Sequence, residues 1–161
     1  MVGRNISRSH RSRRGFTLVD VSVTVLLIGI MSAVAAPQFG SMMLEYRVEA
    51  AARKIAGDLN YAARSARNRA EPITATFQQG TQNYSIDVLQ DPNHPTVAWT
   101  IALSDSGFEN CIVSGLSLGG DSEITFDIYG RPDASGTVTV SSGSTTQLVS
   151  IDQATGKASV L

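Results

Sequence analysis

The sequence predicts an α+β fold: one long amino-terminal helix, membrane-spanning in its first half, packed by its second half on an antiparallel β-sheet. Three observations predict it. Phe16 to Ala36 form a run of 21 residues with a single charge. Val48, Ala52, Ile55, Leu59, Ala62 and Ala66 then recur at alternating spacings of four and three. Beyond Pro72 the residues turn β-branched and alternate apolar with polar in short segments.

The first element is a basic leader. The formal net charge of -1 hides an asymmetry, because five of the thirteen basic residues (Arg4, Arg8, Arg11, Arg13 and Arg14) precede Phe16 with no acid among them. Eight basic residues then face fourteen acids, so the chain from Phe16 onward is net -6. That balance argues against nucleic acid as the main partner, since such affinity comes largely from clustered Lys and Arg. The apolar run that follows is about 31 Å long as a helix at about 1.5 Å per residue, the thickness of a bilayer core. Arginines precede it, which keeps the amino-terminal end cytoplasmic and puts the body across the membrane.

The next element is amphipathic. The apolar stripe from Val48 to Ala66 marks one helix face, while Arg53, Gly57, Asn60, Arg64 and Arg67 fall on others. Pro37 removes one backbone donor and is expected to bend the helix rather than end it, because helix formers resume at once. Glu71-Pro72 ends it, since the residue before a proline is pushed out of the α region. The following runs read as strands: 73 to 79, 84 to 90, 97 to 103, 123 to 129, 137 to 141 and 147 to 161. Each is bounded by turn residues, as in QGTQN, QDPNHP and YGRPDASG, and Thr155-Gly156 splits the last into a hairpin. One antiparallel sheet of six or seven strands is expected, covered by the apolar stripe.

No catalytic constellation emerges. His10 lies in the leader and His94 in a turn, neither with a second metal ligand at a useful spacing. The acids Asp121, Glu123, Asp127, Asp133 and Asp152 are scattered over polar faces and turns. Cys111 is the single cysteine, which excludes an intramolecular disulfide and reads as a small buried hydrophobe. Trp99 and Phe126 read as core aromatics. No enzyme, cofactor or metal site is expected.

The carboxylate of Asp20 is out of place in an ordinary span. A secretory signal peptide, with Ala33-Val34-Ala35 as a cleavage site, gives it no role. A twin-arginine signal built on Ser12-Arg13-Arg14-Gly15-Phe16 gives it none either. The stretch Arg14-Gly15-Phe16-Thr17-Leu18-Val19-Asp20, however, resembles the class III signal of type IV pilins and pseudopilins. In that family a prepilin peptidase cuts after the glycine and methylates the new amine, which implies a cut between Gly15 and Phe16. The fifth mature residue there is usually Glu; here it is Asp20, one methylene shorter. Pro37, the twenty-second residue counted from Phe16, matches the position of the family's helix-bending proline. AARKIAGDLNYAARSARNRAEPI resembles the helix end of the GspH/FimT group, and EITFDIYGRPDASGTVTV with LVSIDQATGKASV resembles its closing strands.

The resemblance implies a pilin-like organisation: residues 1 to 15 a leader that is removed, 16 to 36 a transmembrane helix, 37 to 71 an amphipathic helix, and 72 to 161 a periplasmic β-sheet head. It implies a minor pseudopilin that initiates or caps a periplasmic pseudopilus of a type II secretion system, or the equivalent minor pilin of a type IV pilus. The partners implied are the prepilin peptidase, other major and minor pseudopilins or pilins, an inner-membrane assembly platform and membrane lipid. The physical reason for Asp20 is pairing with the Phe16 amine of a neighbouring subunit: each charge is costly alone in an apolar medium, and the pair offsets much of that cost while fixing register. A local role against the helix macrodipole is compatible with this. Two alternatives stand beside this reading. One is a DNA-binding minor pilin, for which Arg64, Arg67 and Arg69 supply a small basic cluster; the other is a periplasmic protein with an ordinary Sec or twin-arginine signal. Residues 80 to 120 match no motif.

Overall fold

The structure is a computed structural model that describes residues 16–90 and 98–161. The leader, Gly15, His10 and the turn holding His94 lie outside the described residues. Two compact units divide between Phe39 and Gly40. The helix α1, Leu18–Arg69, is assigned without interruption through Pro37.

In the first unit the helix starts at a polar cap. Thr17 Oγ1 accepts the Asp20 N–H at 3.2 Å, which satisfies one of the donors a helix leaves open at its start. Every described side chain from Phe16 to Ala35 is exposed, over a stretch apolar and long enough to cross a membrane.

In the second unit α1 buries a face that is wider than the sequence stripe. Ala51, Ala56 and Ala63 join the six stripe residues in the core. The helix then closes on a left-handed residue: Ala70 has φ 53°, and the Glu71 N–H bonds back to the Ala66 carbonyl at 3.3 Å. This is the bonding of a Schellman motif with alanine where glycine is usual.

The expectation of one sheet is corrected. The strands form two four-stranded antiparallel sheets, ordered β3-β2-β1-β5 and β4-β6-β7-β8. The first holds β1 (Ile73–Phe77), β2 (Asn83–Gln90), β3 (Ala98–Ala102) and β5 (Glu123–Phe126). The second holds β4 (Ile112–Ser117), β6 (Gly136–Ser142), β7 (Thr145–Asp152) and β8 (Lys157–Val160). Strand β4 lies outside the strands that alternation predicts, because Gly115 and a register shift between Val113 and Gly115 break its pattern. The expected closing hairpin is present as β7 and β8, with Gly156 at φ 68° in its turn.

Both sheets contribute to one core. Phe77, Tyr84, Ile86 and Ile124 come from the first, and Val113, Val138, Val140, Val149 and Ile151 from the second. Trp99, Phe126 and Cys111 are buried as the sequence predicts. The β1–β2 turn ties the sheets together, since Gly80 N–H donates to Val113 O at 2.8 Å and Val113 N–H to Thr81 O at 2.9 Å. Two sheets against one helix explain the wider buried face, and its alanines let backbone approach closely on either side of Ile55 and Leu59.

Candidate assembly site

The helix entrance is built from Phe16, Thr17 and Asp20. Phe16 is exposed and Asp20 lies in the first turn, at the third helical position after the Thr17 cap. There its negative charge opposes the positive end of the macrodipole. Ser22 Oγ donates to the Leu18 carbonyl at 2.9 Å and Thr24 Oγ1 to the Asp20 carbonyl at 2.8 Å, so these hydroxyls are satisfied within the helix, as a lipid medium demands. The Asp20 carboxylate has no hydrogen bond or ion pair among the described residues. Phe16 and Asp20 thus stand on one exposed helix start; Gly15 falls outside the described residues and Pro37 far along the helix.

The head is held to α1 by three contacts that the sequence does not announce. Asp58 accepts from Lys54 Nζ at 2.9 Å and from the Tyr84 hydroxyl on β2, which joins the helix to the first sheet. Burial, and then the Asp58 charge and hydrogen bond, push the Tyr84 hydroxyl pKa well up. Asn60 joins the helix to the second sheet: its Nδ2 donates to Ala158 O at 2.8 Å and its Oδ1 accepts Ala158 N–H at 3.0 Å. One side-chain amide therefore replaces a neighbouring strand at the edge of β8. A mid-helix Asn, a poor helix former, is the local signal that could have found it.

The third contact uses the motif glycines. Asp127 holds the turn after β5, accepting Tyr129 N–H at 2.9 Å and Arg131 N–H at 2.8 Å through Oδ1. That turn presses Gly130, at φ 69°, against the helix: a Cβ there would lie 2.4 Å from the Ala63 carbonyl oxygen. A Cβ on Gly156 would in turn lie 2.4 Å from the Gly130 carbonyl oxygen. The closing hairpin, the β5 turn and the helix thus stack backbone on backbone. Asp152 shapes the same hairpin, accepting Ala154 N–H at 2.8 Å and the Thr155 hydroxyl at 2.9 Å, and these bonds hold its carboxyl below the usual range.

A helix that is largely apolar and exposed from Val21 to Ala35, with a carboxylate in its first turn and a two-sheet head packed on its second half, has the arrangement of the pilin class. Residues 51–155, about two thirds of the chain, match the model of the family described as Type II transport protein GspH, and the chain belongs to that family. Family and fold are those of structural minor pseudopilins and minor pilins, not of enzymes. Two crystal structures of the type IV minor pilin FimU from Pseudomonas aeruginosa are similar in fold. One has 17% identity and a TM-score of 0.53, covering 71% of this chain and 87% of that one. The other has 16% identity and a TM-score of 0.52, covering 70% and 91%. Comparison with curated protein sequences returns no match.

Proposed function

We propose that the chain helps to initiate or cap a short periplasmic pseudopilus of a type II secretion system. The observation that carries this reading is the match of residues 51–155 to the GspH family, whose description names type II transport. In this reading the leader stays cytoplasmic and the peptidase cuts between Gly15 and Phe16. The amine so formed is methylated, the helix remains in the inner membrane, and the head is periplasmic. The exposed apolar first half of α1 supports this: in water it would be a large unpartnered surface, whereas lipid and then neighbouring helices can cover it.

Asp20 sets register during assembly. Asp20 follows Phe16 by four residues, in the first turn of the helix, and its carboxylate pairs with the amine of the adjacent subunit, while Pro37 bends the helix where it leaves the bilayer. The insertion cost of Asp is about 2.5 to 3.5 kcal/mol at mid-membrane and less near a helix end, which the pairing offsets. Other pseudopilins and the inner-membrane assembly platform are the partners of this step.

The test is the mass and amino-terminal sequence of the mature protein from membranes. N-methylated Phe16 is expected. A start near Ala36 would instead mark an ordinary signal peptide and overturn the reading.

A further inference from the structure

Beside the edge of β8, the second half of α1 borders two open clefts that meet at Gly57 and Asn60. One, of about 540 Å³, is lined by Glu49, Arg53, Gln147 and Val160 among others. The other, of about 480 Å³, is lined by Arg64, Arg67, Thr155 and Lys157 among others. Gly57 opens the junction: nothing lies within 4 Å of where its Cβ would be.

The two ends of this groove differ in charge. Arg53 is paired with Glu49 at 2.6 Å. At the other end Arg64, Arg67 and Lys157 are exposed and form no ion pair among the described residues; Arg67 Nε donates to the Ala63 carbonyl at 3.4 Å. Three cations from two elements therefore line one cleft without an ion-pair partner among the described residues, with Asp152 as the cross-strand neighbour of Lys157. The wall adds backbone. Asn60 takes both polar groups of Ala158, and the two-residue period of a strand turns the N–H and C=O of Val160 to the same side, toward the cleft that Val160 lines.

We propose that this groove docks an extended acidic peptide segment of a neighbouring filament subunit, its backbone pairing with Val160 and its carboxylates meeting Arg64, Arg67 and Lys157. The proposal rests on the filament reading given above. Charge complementarity selects carboxylates, and the outward backbone rung selects a peptide. Nucleic acid is the weaker fit. Its affinity grows with the number of phosphates neutralised, and here three cations stand on a chain that is net -6 from Phe16 onward, with Glu49 in the same groove.

The experiment is fluorescence anisotropy of a labelled short poly-glutamate peptide with the full chain in detergent, and with a single-stranded oligothymidylate of equal charge as competitor. The wild type is expected to bind the peptide in preference to the oligonucleotide. Arg64→Glu combined with Lys157→Glu is expected to weaken binding by about tenfold or more. Gly57→Phe, which fills the groove from a position with open space, is expected to do the same while the head still melts cooperatively. No peptide binding, unchanged binding in both variants, or tighter binding of the oligonucleotide would overturn the proposal. Processing is read separately: an intact leader in membranes overturns the filament reading, whereas normal processing without peptide binding overturns the groove alone.

Discussion

The two halves of α1 differ in what their side chains meet. From Leu18 to Val34 the large apolar side chains are 49 to 84% exposed, while Val48, Ile55 and Leu59 are 0% exposed beneath two sheets. The second half finds its apolar surroundings within its own chain. The first half needs a medium or a partner, so its sequence is free of the core's packing constraints and answers to what surrounds it outside the molecule. Composition follows: alanines dominate the buried face, where backbone must approach backbone, and Val, Leu and Ile dominate the exposed half.

The sharpest way to break the second half is through its closest approach. Gly130→Ala combines a left-handed backbone with a 2.4 Å clash against the Ala63 carbonyl. It is expected to cost about 4 kcal/mol, read as urea unfolding of the full chain in detergent by the fluorescence of Trp99, the single tryptophan. Leu59→Ala is expected to cost about 3 kcal/mol by the same measurement. Leu26→Ala, the same deletion in the exposed half, is expected to leave the head within about 0.5 kcal/mol of wild type. Equal losses from the two would erase the contrast.

Polar contacts rank below these. Asn60→Ala strands the N–H and C=O of Ala158 and is expected to cost about 2 kcal/mol. The smallest effect depends on pH. The Tyr84 hydroxyl has a raised folded pKa, so its contribution is fully present below the unfolded value of about 10 and is lost as pH rises beyond it. Alkaline unfolding monitored at Trp99 is expected to show this slope, and Tyr84→Phe is expected to remove it.

Much of this was legible in the sequence because it is local. The stripe from Val48 to Ala66, the helix end before Pro72 and the hairpin at Thr155-Gly156 each follow from spacing or turn chemistry within a few residues. The split into two sheets was not legible, since alternation says which face a residue takes and nothing about which strand it joins. Strand β4 was hidden by Gly115 and its irregular register. Asn60 and Ala158 lie 98 positions apart, and Asp58 and Tyr84 lie 26 apart, so no window holds both partners. Gly130 and Gly156 were visible as motif residues, but their stacking on one another is a product of the fold. Asp20 was visible for the opposite reason: a charge in an apolar run needs no structure to be conspicuous, and the partner assigned to it belongs to another molecule.

The difference between the halves is tested most directly by Asp20→Asn, with head stability and co-purification of partner pilins measured on the same membranes. An unchanged urea midpoint at Trp99, normal insertion and loss of co-purifying pilins are expected. Wild-type recovery of those pilins by the Asn variant would contradict the pairing role of Asp20.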